Sequence, residues 1–368
     1  MPTLAPNPLL DLQPFPSEGY ADIVDRLAVL LGTSNDVLLV QGEAIVALEA
    51  AATSLGQPGL TAINIVTSPY GHMFGSWLRR AGTTVVDVIA EPGLPVTVDA
   101  VRSALDANPD ARLLALVHAE SASGILNALE QIAALARERG ILTVIDAVAS
   151  VGGHALDTDA LGLDVVVIGA QKSLGGSPGL SAISISPAAW SLAGHAAAPT
   201  GSILSLLDHR RLWLDTGRGA LPGMPSALEF WALRAALERV ETEGLPALIA
   251  RHVRAADATR SSLAALGLTP WVAPDHASNL VTAARLPDHL AASQVLAATG
   301  HSSGLSVGVG SIAERLVRLN HTGGNASFEQ VLANVVALGG ALASLGEQVD
   351  IGAAAETVAD AYRVNRAS

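Results

Sequence analysis

Lys172 is the only lysine in a chain of 368 residues, and it stands in a loop of glycines and small side chains just past an apolar run, Val165 to Ile168. An amine can form an imine with an aldehyde; a guanidinium stays protonated and is a poor nucleophile. One lysine kept in an Arg-using chain therefore points to a task that Arg cannot perform. The stretch from Val144 to Gly179, VIDAVASVGGHALDTDALGLDVVVIGAQKSLGGSPG, holds a second apolar run that ends on Asp146. A carboxylate at one strand end and an amine past another suit a pyridine-aldehyde cofactor. Asp146 pairs with the ring N–H and Lys172 holds the aldehyde carbon. The competing reading is a surface lysine that survived Arg bias, which fits poorly with the end of a buried parallel strand.

Other polar residues follow apolar runs in the same way. The run Leu113 to His118 leads into Ala119-Glu120-Ser121-Ala122-Ser123-Gly124. Its hydroxyls, Ser121 among them, can reach the ring oxygen of such a cofactor, or can simply cap the next helix. Tyr70, in Ser68-Pro69-Tyr70-Gly71, is one of few aromatics and can stack on a pyridine ring or pack at the rim. Arg318, in Leu316-Val317-Arg318-Leu319-Asn320-His321, is costly to bury without an anion. A substrate carboxylate held bidentately answers that need, and an internal salt bridge is the alternative. The string Gly308-Val309-Gly310-Ser311-Ile312-Ala313 imitates a dinucleotide fingerprint, but 35 glycines make chance matches common and it lies late in the chain. The ten histidines show no metal-ligand spacing, so no metal is assigned.

Positioning these residues requires a layered α/β fold. Residues 1–18 read as a Pro-rich extended arm, and Gly19 to Leu31 has helical spacing. Strands are expected at Val37–Val40, Thr61–Val66, Thr84–Ala90, Leu113–His118, through Asp146, before Lys172 and at Leu180–Ile185. Helices are expected at Ala44–Leu55, Gly71–Ala81, Asp99–Ala107 and Leu126–Arg139. Such alternation implies a mostly parallel sheet covered on both faces, with ligands beyond the carboxyl ends of its strands. Residues 195–223 read as irregular, and Pro225 to Glu243 as one long helix. A smaller α/β unit follows, giving a large domain over 19–245 and a small one over 246–368.

Composition narrows the function. Hydrophobic residues make up 50% of the chain, enough for sizeable cores. A net charge of −13 argues against nucleic acid or an anionic membrane as partner, though not against a small anionic substrate. Cysteine is absent, which removes disulfides, thiolate metal sites and any persulfide mechanism. No secretory signal or long apolar span is visible, so a cytoplasmic enzyme is expected.

Taken together these motifs resemble the fold-type I, class V aminotransferases, the group of alanine–glyoxylate and serine–pyruvate enzymes, over about Tyr20 to Leu345. The carriers are Gly42-Glu43 with Ala47-Leu48-Glu49-Ala50, Tyr70-Gly71, His118-Ala119-Glu120-Ser121, Asp146-Ala147-Val148, Gln171-Lys172 with Pro178-Gly179-Leu180, and Val317-Arg318-Leu319. The resemblance implies a pyridoxal 5′-phosphate fold with Lys172 as Schiff-base residue, Asp146 on the pyridine nitrogen and Tyr70 stacked on the ring. Arg318 falls on the substrate carboxylate, and Gly42, Glu43, Ser121 and Gln171 fall near the cofactor. It also implies a homodimer acting on a small amino acid and 2-oxo acid pair. A lyase or epimerase on the same scaffold is the other enzymatic option.

Two departures refine the expectation. Family members usually offer Gly and Ser or Thr at the turn before the first sheet helix, where amides and hydroxyls cradle phosphate; here that turn is Gln41-Gly42-Glu43. The segment Pro222-Gly223-Met224-Pro225 has Met where members often have a hydroxyl. Both look like a weakened phosphate site and resemble a branch that takes unphosphorylated pyridoxamine as a substrate, converting it with pyruvate to pyridoxal and L-alanine. Glu43 would then accept a hydrogen bond from the 5′-hydroxymethyl group, or else serve only the helix start. Val309 stands where that branch carries a second carboxylate-binding Arg.

Overall fold

In a computed structural model describing residues 7–8, 11–300 and 304–363, two sheets carry two hydrophobic cores. The larger sheet has seven strands: β1 (Asp36–Gln41), β2 (Thr61–Val66), β3 (Thr84–Ile89), β4 (Ala111–Val117), β5 (Leu142–Asp146), β6 (Val165–Gly169) and β7 (Leu180–Ile185). Their order is β1-β7-β6-β5-β4-β2-β3, and β7 alone runs against its neighbours. The fold class is thus the α/β architecture with a mostly parallel seven-stranded sheet expected above. Burial explains the strand sequences. TAINIV in β2 and VVVIG in β6 are buried at every position, as strands covered on both faces must be. The helix Ala44–Leu55 packs on β6 and β7 through fully buried Ala47, Ala50 and Ala51. Side chains that small let helix and sheet approach closely and carry little rotamer entropy.

The second sheet is antiparallel, in the order β10-β11-β9-β8, from β8 (Thr269–Pro270), β9 (Val281–Arg285), β10 (Leu305–Val307) and β11 (Leu316–Asn320). The helices Leu245–Ser262, Phe328–Ser344 and Ile351–Arg363 pack together over its apolar face. The helix after residue 225 spans Ala227–Glu243.

Two expectations are corrected. Residues 195–223 are not wholly irregular. Leu206–Trp213 is a helix, started by Ser205, whose hydroxyl accepts from Asp208 N, and Leu206 and Trp213 are buried. Its Arg-rich sequence hides so short an apolar stripe. The arm is more than an extended tail at its described end: Phe15 is buried against Tyr20, Phe230 and Trp231. Residues 1–6 and 9–10 of that arm lie outside the described residues.

Candidate active site

The carboxyl ends of β1, β2, β4, β5 and β6 meet at one cavity, lined by Glu43, Tyr70, Ser121, Asp146 and Lys172 with apolar Leu48, Val117 and Val148. A second cavity shares Ser121, Ala149 and Lys172 with it and adds Gln171, Ser306, Arg318 and Asn320. Seven of the eight residues singled out from sequence line one of these two spaces. Gly42 lines neither: its N–H donates to the Gly179 carbonyl and its carbonyl accepts from Ser181 Oγ, so it shapes the turn.

Local sequence explains how each is held. Ser68 caps the helix Pro69–Arg80 by accepting from Tyr70 N at 3.1 Å, and Pro69 at the first helical position presets its φ. Gly71 is required by close approach, because a Cβ there would stand 2.8 Å from the Ile65 carbonyl oxygen. Tyr70 is thereby fixed above the end of β2. Beyond β6, the Lys172 loop is tied by Glu229, which accepts from the Ser177 hydroxyl and from Gly179 N. Gly323, after β11, takes φ +60 and passes so near that a Cβ would meet the Lys172 carbonyl oxygen at 2.7 Å. The smaller sheet is thus docked directly on the lysine loop.

Charge is unevenly distributed here. Asp146 keeps part of its surface open to the cavity, yet its carboxyl is far from bulk water, and burial pushes its pKa up to about 6. The Val148 N–H and the Lys172 charge oppose that rise, and Glu43 adds to it. Burial also lowers Lys172 below the ordinary lysine value; Glu43 and Asp146 counter this, while Arg318 reinforces it. A lowered amine pKa enlarges the neutral, nucleophilic fraction. His118, at the end of β4, is buried and held neutral, its pKa lowered to about 4 by desolvation.

Glu43 does two things. One oxygen accepts from Ile45 N at 3.0 Å, capping the helix Ala44–Leu55, and the other accepts from Gln171 Nε2 at 2.5 Å. Gln171 Oε1 remains buried with no partner among the described residues. Arg318 makes no salt bridge among the described residues. It spends Nη1 on the Ser121 carbonyl (2.7 Å) and Nε on the Val307 carbonyl (2.9 Å). Burial lowers its pKa from the ordinary value, with Tyr70 close enough to oppose the shift. The guanidinium is therefore oriented by two carbonyls that carry no net charge, and its charge stays free for an anion.

Met224 does not reach these cavities from within its own chain. It is 93% exposed, on a segment latched by Gln41, whose Nε2 donates to the Pro222 carbonyl and whose Oε1 accepts from Ser226 N. Val309 lines a separate pocket with Trp271 and Ile312. Sequence reasoning missed Glu229 and Asn320. Strand alternation could have found Asn320, two residues past Arg318 on the same face of β11. Nothing in the sequence marks Glu229. Among the described residues there is no cluster of metal-binding side chains, and no helix is long and apolar enough to cross a membrane.

A family model described as aminotransferase class-V matches residues 17–324. A pyridoxamine–pyruvate transaminase of Mesorhizobium japonicum is 32% identical over 337 residues, covering 90% of this chain and 85% of that protein. An alanine–glyoxylate aminotransferase of Oryctolagus cuniculus is 30% identical over 300 residues, covering 80% and 76% respectively. A solved pyridoxamine–pyruvate aminotransferase from Mesorhizobium loti superposes with a TM-score of 0.89 at 30% identity, over 95% of this chain and 90% of its own.

Proposed function

Since the chain belongs to the class-V aminotransferase family, we propose that it passes an amino group from unphosphorylated pyridoxamine to pyruvate, giving pyridoxal and L-alanine. Transfer of an amino group with a pyridoxal-type group is common ground for its relatives; the phosphate-free form is the specific claim. The observation that carries it is Glu43. A helix N-terminus is an anion site, and here the chain's own carboxylate already occupies it, bonded to Ile45 N. A phosphate about 4 Å from that carboxylate would be repelled by about 4 kcal/mol per unit charge at an effective dielectric near 20. A 5′-hydroxymethyl group instead finds an acceptor in Glu43, with the Gln171 amide beside it.

The residues present suit the ring as well. Asp146, buried and short of counter-charge, matches a pyridinium N–H. When bound, a pyridoxal-type group supplies a carbon that an amine can hold and a ring that takes up the electron pair left by proton removal. Lys172 Nζ would hold the group and, as a free amine, could move a proton at the substrate Cα. Asp146 would keep the ring nitrogen protonated, and Tyr70, Val148 and Ser121, which line the same cavity, would bound the ring. Arg318 holds the carboxylate of the 2-oxo acid.

A spectrophotometric assay with pyridoxamine and pyruvate, on dialysed protein without pyridoxal phosphate, tests this. Pyridoxal and alanine in equal amounts are expected. Glu43→Ala should weaken pyridoxamine turnover by about 10- to 100-fold, the worth of one hydrogen bond to a charged group. Activity appearing only with pyridoxal phosphate, alanine and glyoxylate would make Glu43 a helix cap alone and the chain a conventional alanine–glyoxylate enzyme. Arg318→Lys should raise the KM for pyruvate about 100-fold, since a point charge replaces an oriented fork. An equal rise in the KM for pyridoxamine would remove Arg318 from the carboxylate.

A further inference from the structure

Glu120 is 1% exposed and has no part in the mechanism above. It sits in the turn after β4, one residue before Ser121. Its Oε1 accepts from Thr67 Oγ1 at 2.5 Å, in the turn after β2 that leads to Tyr70. Thr67 Oγ1 in turn accepts from Asn127 Nδ2 at 3.0 Å, and the same amide nitrogen donates to the Val117 carbonyl at 2.8 Å. The Glu120 backbone is fixed too, its N–H on the Ile125 carbonyl and its carbonyl on Gly124 N. Its side chain therefore links the two turns that present Tyr70 and Ser121.

The remaining oxygen decides the chemical state. Glu120 Oε2 is buried, and the Ser68 hydroxyl is within reach without a well-aligned bond. An ionised Glu120 would leave that oxygen a buried anion faced only by a poorly aligned hydroxyl, a costly arrangement. The groups facing it are the Thr67 and Ser68 hydroxyls from the turn after β2 and the Asp146 carboxyl from the end of β5. His118, on its own turn, is neutral and adds no cation. We propose that Glu120 is a positioning residue that works as a neutral carboxylic acid, locking the Tyr70 turn to the Ser121 turn and leaving Asp146 the anion under the ring. Desolvation, with the Asp146 charge reinforcing it, raises its pKa to about 7, against the lowering by both hydroxyls. A proton on Oε2 turns an unpaired acceptor into a donor toward Ser68 Oγ, which is itself the cap of the helix carrying Tyr70.

The sign of the linkage follows. A carboxyl whose folded pKa lies above its unfolded value gives stability that is complete below the unfolded value and is lost as pH rises through the folded one. Glu120→Gln keeps the shape and the bonds of the neutral acid and has no proton to lose. Melting of the ligand-free protein from pH 4.5 to 8.5 should show the variant gaining on the wild type as pH rises from about 4.5 to about 7 and holding that gain above it, by on the order of 5 °C. A difference independent of pH would overturn the proposal. This comparison needs no ligand, so it stands or falls separately from the pyridoxamine reading, on which the second measurement rests. Pyridoxamine binding, followed by its own fluorescence, should weaken about tenfold in Glu120→Ala and be largely restored in Glu120→Gln. A Gln variant as weak as Ala would mean that the charge, not the latch, is needed. If the Ala variant does not fold, the pH comparison of Gln with wild type decides alone.

Discussion

Lys172→Arg should lose turnover by at least about 10³-fold and hold no pyridoxal after borohydride reduction. Arg keeps the positive charge at a similar reach, so the local field of Glu43, Asp146 and Arg318 is little altered. What disappears is an amine that can shed its proton. In the wild type, burial lowers the Lys172 pKa and the two carboxylates counter it, and a lowered pKa makes the neutral, nucleophilic amine easier to reach. Mass spectrometry of the reduced protein gives the direct reading. A pyridoxyl adduct on Lys172 is expected, and an unmodified Lys172 in an active protein would end the assignment. Since no other lysine exists in the chain, an adduct mapped to Lys172 has no second lysine to explain it.

Asp146→Asn should cut turnover by about 10³-fold while the protein still binds pyridoxamine, because one preorganised charge is removed from where the ring must stay protonated. Stability should move the other way. The folded pKa of Asp146, about 6, lies above the ordinary 3.8. Its contribution is therefore complete below the ordinary value and is lost as pH rises through about 6. At pH 7.5 the ligand-free wild type carries an unpaired buried charge that costs about 3 kcal/mol by this linkage. Asn can still accept from Val148 N and carries no such cost. The variant should melt no lower than the wild type at pH 7.5 and gain on it between pH 5 and 7.5. A slow variant that is also less stable at every pH would make Asp146 a structural residue. Normal turnover would exclude the ring-nitrogen role. Stability lost for activity at one buried carboxylate is the pattern of a site shaped for a ligand rather than for the fold.

Much of the fold was legible because the local signals agreed with the final layers. The strands Thr61–Val66 and Leu180–Ile185 and the helix Ala44–Leu55 coincide with the observed elements. Each is either a short, mostly apolar run buried at every position or an Ala-rich stretch bounded by Gly, where burial on both faces leaves no competing pattern. The misses have one cause. Strands β8 and β10 have two and three residues, too short for any periodicity, and the eight-residue helix Leu206–Trp213 holds its polar residues, Asp208 to Arg211, in one run at its middle. Their pairing energies come from neighbours distant in the chain.

At the site, residue types and their places along the chain already name the chemistry available: a lone amine, a carboxylate at a strand end and an arginine amid apolar residues. Strand ends cluster on one edge of a parallel sheet, so Asp146, Lys172, Tyr70 and Ser121 fall together from their positions in the sequence. What Glu43, Arg318 and Glu120 do depends on the folded arrangement. Glu43 spends its two oxygens on Ile45 N and on Gln171, 128 residues away; Arg318 is aimed by carbonyls of Ser121 and Val307; Glu120 bonds Thr67 across 53 residues. Residue type sets which protons and charges a side chain can carry, whereas burial and long-range hydrogen bonds set which of those states is populated.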